Sequence, residues 1–128
     1  MKDEAKSGQD TMSKKILVVD DEELVRNYVT RALLSRGYEV TAAVDGASAT
    51  ALIEKEEFEL AICDLKMPDM RGEEVIREIK TRRPLTSVIV ITGSVSDISN
   101  PILPMITVEG FLIKPFGIND IRDMVEKI

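Results

Sequence analysis

Five short apolar runs, rich in branched residues, are spaced along this chain with helix-period segments between them. They are the four residues Ile16 to Val19 of "KKILVVDD", then "YEVTAA", "ELAICD", "SVIVITG" and "GFLIK". Runs this short, near-continuous in apolar character, fit strands buried on both faces. Between the first two, Val25, Tyr28, Val29, Ala32 and Leu33 recur at the spacing of one helix face. Gly37 ends that helix as a left-handed cap. Ala47 to Lys55 reads as a second helix. Glu73 to Arg82 reads as a third, with Val75, Ile76 and Ile79 inward and Pro84 closing it. Ile118, Ile121, Val125 and Ile128 mark the last helix. Strands alternating with helices imply right-handed βαβ units and a parallel sheet covered on both sides. The expected fold is therefore α/β, a doubly wound five-stranded sheet in a three-layer sandwich.

One helical slot breaks the rhythm. Between Ser94 and Gly110 stands "SVSDISNPILPMITVEG", where Pro101 and Pro104 would each remove a backbone bond from a helix. A short, displaced or irregular fourth helix is expected there.

The length of 128 residues suits one domain, expected over residues 14–128 behind a polar, disordered tail of residues 1–13. No apolar run is long enough to cross a bilayer, and the N-terminus lacks the apolar centre of a signal peptide. A cytoplasmic protein is expected, with no membrane contact. Cys63, the one cysteine, lies within an apolar run and reads as a small buried side chain. A net charge of −6 without a basic block argues against direct nucleic-acid binding. The chain has no histidine, which removes imidazole catalysis and histidine-ligated metals. Any metal must be held by oxygen, as magnesium, manganese or calcium would be.

In an open α/β sheet, ligands bind beyond the carboxyl ends of the strands. The first run ends at Asp20-Asp21, the third at Asp64, the fourth at Thr92 and the fifth at Lys114-Pro115. If the first and third strands are neighbours, three carboxylates converge, and a hard dication offsets their repulsion. The plainer role for Asp20 or Asp21 is to cap the helix that follows. Thr92 and Lys114 complete a phosphoryl site. Asp64, ionised at neutral pH, can attack phosphorus without a general base. Magnesium and the Lys114 ammonium can compensate the charge that develops on the phosphoryl oxygens.

In "VVDDE", "CDLKMPDMRGEEVIREI", "VIVITG" and "FLIKPF", taken together and in this order, the chain resembles a response-regulator receiver domain of two-component signalling, of the CheY-like superfamily. The resemblance runs over about residues 14–128. It implies a flavodoxin-like sheet of order 2-1-3-4-5. It implies Asp64 as phosphoacceptor, charged from the phosphohistidine of a sensor histidine kinase or phosphotransfer protein. Asp20, Asp21, Asp64 and the backbone carbonyl of Lys66 would hold magnesium, with manganese a possible substitute. Thr92 would be the switch hydroxyl, Phe111 the switch aromatic, and Lys114 the phosphoryl partner before a cis Pro115. Lys66 and Ser94, each two residues past a site residue, would tune a slow self-hydrolysis. Such a domain switches a protein-interaction surface and does not turn over a separate substrate.

Two other readings compete. One is a receiver-fold adaptor that binds partners independently of phosphorylation, which the proline-broken segment favours and the intact acid set opposes. The other is a phosphatase of the haloacid-dehalogenase type, which wants an acid two residues past its nucleophile, where Lys66 stands. The chain stops with the last helix, fitting either a stand-alone receiver with a downstream protein partner or part of a longer regulator with its own output domain.

Overall fold

The structure, a computed structural model, describes residues 14–94 and 108–128. The tail of residues 1–13 and the core of the proline-broken segment, with Pro101 and Pro104, lie outside the described residues. Five strands are present: β1 (Lys15–Val19), β2 (Glu39–Ala43), β3 (Leu60–Asp64), β4 (Ser87–Thr92) and β5 (Gly110–Ile113). Among the described residues the helices are α1 (Glu23–Leu34), α2 (Gly46–Lys55), α3 (Gly72–Arg82) and α4 (Ile118–Glu126). All strand pairs are parallel, in the order β2-β1-β3-β4-β5. The fold is the expected flavodoxin-like sandwich.

Period-two alternation splits the core into two halves, because successive side chains of a strand point to opposite faces. Ile16, Val18, Leu60, Ile62, Ile89 and Ile91 face one side, where they meet Val29 and Leu33 of α1 and Ile121 and Val125 of α4. Leu17, Val19, Ala61, Cys63, Val88 and Val90 face the other, against Ala49 and Ile53 of α2 and Val75, Ile76 and Ile79 of α3. Each large aliphatic side chain so buried contributes about 1.5–3 kcal/mol. Every residue of β3 is buried, as a central strand requires. Gly37 has φ +87°, the left-handed conformation that lets the chain leave α1 and enter β2.

Tyr28 departs from the helix-face reading, since it is 39% exposed rather than inward. Its ring lies 6.3 Å from that of Phe116, and its hydroxyl donates to the Phe116 carbonyl at 3.4 Å. An aromatic with a polar tip is served by that edge position, where the ring packs and the hydroxyl keeps a partner.

Parallel register brings the strand ends to one edge. Val19 pairs with Cys63, so Asp20 and Asp64 follow side by side. Thr92 pairs with Ile113, which sets Lys114 just beyond it.

Candidate functional site

Carboxylate oxygens of Asp20, Asp21 and Asp64 lie within 4.8 Å of one another. Asp20 and Asp64 are buried, whereas Asp21 is exposed. The turn after β1 holds Asp20: its N–H donates to the Ala43 carbonyl at 3.2 Å, and its Oδ1 accepts from the Glu22 N–H at 2.9 Å. Asp20 does not cap the helix, whose N-cap residue Glu22 lacks a side-chain cap bond; it pins the turn before it, and its second oxygen remains for the site. Asp64 Oδ1 accepts from the Lys66 N–H at 3.4 Å, a long contact that turns the chain out of β3.

Lys114 reaches into this group from the end of β5. Its Nζ stands 3.3 Å from Asp20 Oδ2 and 3.4 Å from Asp64 Oδ2, and it donates to Glu22 Oε1 in a third, shorter contact. The bond from Lys114 to Pro115 is cis, as the resemblance implied. Asp20 Oδ2 is buried and lies within ion-pair range of the ammonium, yet it receives no aligned hydrogen bond. An orphaned buried carboxylate oxygen among three converging acids is a donor set that suits a hard divalent cation, and magnesium fits it.

The electrostatics follow from this crowding. Burial raises the Asp64 carboxyl and the neighbouring Asp20 charge adds to it; Lys114 and the Lys66 N–H oppose, leaving it at about 6. Asp20 is also raised, chiefly by burial, against the pull of the Glu22 N–H and Lys114. Burial works against the Lys114 charge, but Glu22, Asp20 and Asp64 outweigh it and hold the ammonium above its usual range. The Cys63 thiol is pushed up to about 12 by full burial and by Asp64, so it is not a nucleophile.

The remaining sequence candidates stand around this centre. Thr92 is buried at the end of β4, beside the Asp64 strand. Its hydroxyl exchanges long contacts with Ser94, accepting from the N–H at 3.3 Å and lying 3.4 Å from the carbonyl. Phe111 is half-buried on β5 and packs against the core half that carries α2 and α3. Lys66 is exposed on the loop after β3. The structure brings Asp20, Asp21, Asp64 and Lys114 into contact range and sets Thr92 at the adjacent strand end.

Two residues of this neighbourhood were not singled out in the sequence. Glu22 reads there as the first residue of a helix, but its side chain pairs with Lys114. Asp69 follows Pro68 in the loop after β3, and its two oxygens accept from the N–H groups of Gly46 and Ala47, at 3.0 and 3.1 Å, at the start of α2. The "PD" in the loop was the available signal for the second.

Comparison with known proteins agrees with this geometry. Residues 16–126 match the family described as the response regulator receiver domain. The sensor kinase CckA of Brucella abortus is 35% identical over 121 residues, 90% of this chain and 13% of that protein. The chain thus spans a small part of that relative. The response regulator receiver protein CpdR of the same organism is 33% identical over 115 residues, covering 90% of this chain and 96% of that protein. Among solved structures, the response regulator TrrA of Thermotoga maritima, in complex with magnesium and beryllium fluoride, superposes with a TM-score of 0.81 at 29% identity. That match covers 89% of this chain and 97% of the other. Receiver domains are magnesium-using signalling switches that accept a phosphoryl group within two-component systems. By its sheet order, its acid cluster and the match over nearly its whole length, this chain belongs to the response regulator receiver domain family.

Proposed function

We propose that Asp64 is the phosphoacceptor and that residues 14–128 form the receiver unit. A carboxylate oxygen of Asp64 attacks the phosphorus of a phosphohistidine. The new P–O bond forms as the P–N bond breaks, and the imidazole leaves with the bonding pair. Asp20, Asp21, Asp64 and the Lys66 carbonyl would hold magnesium, with manganese able to replace it. The ion, when bound, neutralises charge on the transferring oxygens. Lys114 supplies a further positive charge, its ammonium already 3.4 Å from Asp64 Oδ2. A carboxyl held at about 6 is largely ionised at neutral pH, so the nucleophile needs no base.

On phosphorylation the Thr92 hydroxyl leaves its Ser94 contacts to donate to a phosphoryl oxygen, and Phe111 repacks into the space beneath it. Lys66 and Ser94 tune the slow hydrolysis that resets the switch. The product is a changed protein surface; no separate substrate is turned over. The phosphoryl donor is a sensor histidine kinase or phosphotransfer protein. Its docking place is the groove of about 590 Å³ beside Lys114, lined by Leu24, Val25, Tyr28, Pro115 and Phe116. Leu24 there is 85% exposed, an apolar side chain open to a partner. No helix among the described residues is long and apolar enough to cross a membrane. We place the protein in the cytoplasm, acting on a downstream protein or output domain and not on nucleic acid directly.

The observation that carries this reading is the placement of buried Asp64 beside Asp20 at the carboxyl edge of the sheet, with the Lys114 ammonium in contact with both. Incubation with acetyl phosphate and magnesium, followed by intact mass, tests it. The wild type should gain one phosphoryl group and Asp64→Asn none. Uptake by Asp64→Asn, or none by the wild type, would overturn it.

A further inference from the structure

We propose that Glu22 is an internal competitor for Lys114, an acid that holds the phosphoryl-binding ammonium toward the groove until the phosphoryl group draws it away. The inference rests on the reading of Asp64 as phosphoacceptor.

An ammonium has three N–H donors and no acceptor. Lys114 Nζ has three carboxylate neighbours: Glu22 Oε1, Asp20 Oδ2 at 3.3 Å and Asp64 Oδ2 at 3.4 Å. The ammonium is therefore ringed by three carboxylates before a phosphoryl oxygen arrives, donating to Glu22 and Asp64 and ion-paired with Asp20. The three contacts are not equal. Those to Asp20 and Asp64 are long and run to buried acids, whereas the one to Glu22 runs to a carboxylate at the surface. Its acceptor is on a side chain 57% exposed, which water can solvate once the pair is broken. Glu22 is thus the partner most cheaply released, and while bound it draws the charge outward from the site.

The backbone of the same residue is fixed, since its N–H donates to Asp20 Oδ1 at 2.9 Å. Release of Lys114 therefore means rotation of the Glu22 side chain, not movement of the turn. Glu22 and Lys114 both line the groove with Leu24, Tyr28 and Phe116. A Glu22 carboxylate freed of its ammonium would add net negative charge to that wall, so the groove differs in charge between the two states.

Beryllium fluoride with magnesium, titrated by fluorine NMR at physiological salt, is the probe. Glu22→Gln should bind it about two- to fivefold tighter than wild type, the range of an exposed ion pair. Glu23→Gln removes the same charge from the adjacent exposed position and should leave affinity unchanged. The carbon resonance beside Nζ of Lys114, in free Glu22→Gln, should move toward its position in the beryllium fluoride complex of the wild type. Equal or weaker binding by a folded Glu22→Gln, or an equal gain in Glu23→Gln, overturns the competitor role. Failure of the wild type to bind the probe at all overturns the phosphoacceptor reading itself.

Discussion

Lys114 Nζ stands 3.4 Å from Asp64 Oδ2, a contact between residues 50 positions apart that the parallel sheet makes by setting two strand ends on one edge. Lys114→Met removes the cation that, among the described residues, contacts both buried acids. Breaking such a partly buried pair should destabilise the magnesium-free protein by about 1–3 kcal/mol. Phosphoryl uptake from acetyl phosphate should fall by about a hundredfold, the scale of losing one preorganised charge. Urea denaturation and uptake kinetics measure the two effects separately. Unchanged uptake would remove Lys114 from the site.

Asp64→Asn deletes the charge that burial and Asp20 both oppose. Without magnesium at pH 7.5 this variant should be more stable than wild type by about 1–2 kcal/mol, a melting temperature higher by roughly 3–8 °C. Saturating magnesium should narrow the gap, because it stabilises the wild-type site more. Differential scanning calorimetry with and without the ion reads both. A lower melting temperature for the variant without magnesium would contradict the electrostatics.

The pH dependence has a definite sign. Asp64 is raised from 3.8 to about 6, so between those values the folded state binds more protons than the unfolded one. Its contribution, at most about 3 kcal/mol, is complete below pH 4 and is lost as pH rises through 6. Asp20 is raised too and acts in the same direction. Magnesium-free wild type should therefore lose stability from pH 5 to pH 7 more steeply than Asp64→Asn. Urea midpoints at those two values decide it, and parallel curves would mean that Asp64 titrates normally.

Gly72 opens α3 against the backbone behind the site. A methyl group there would meet Leu65 Cα at 2.4 Å and the Asp64 carbonyl oxygen at 2.5 Å, neither of which can yield without moving β3. Gly72→Ala should cost about 2–4 kcal/mol and weaken magnesium binding. A methyl on Gly93 meets nothing among the described residues within 4 Å, so Gly93→Ala serves as the mild comparison. Chemical denaturation and magnesium titration of both variants provide the test.

The legible parts of this molecule were those written locally. Branched runs such as Ile16 to Val19 specify strands buried on both sides, and Gly37 marks the end of α1 because few other residues accept its φ of +87°. The acids were legible because a buried strand has no packing use for a carboxylate at its end. The pairing of Glu22 with Lys114 spans 92 residues and depends on side-chain reach, which no local pattern encodes. Tyr28 was misplaced for a related reason. Helical spacing sets its face, but the distant Phe116 and its carbonyl hold the ring at the edge. Most of the segment with Pro101 and Pro104, where an irregular fourth helix is expected, lies outside the described residues.

Asp69 and Gly72 bracket the loop that leaves Asp64. Asp69 fastens one end to the start of α2 through two backbone N–H groups, and Met70 fills the space where Gly46 lacks a side chain. Gly72 seats the other end against Leu65. A loop riveted at both ends has little slack. Force applied at Asp64 would then be spent on the stiff frame of α2 and α3 or diverted toward β4 and β5, where Thr92 and Phe111 stand. Loosening the Asp69 rivet would add a compliant spring beside the acceptor and blunt that leverage, leaving the acids themselves unaltered.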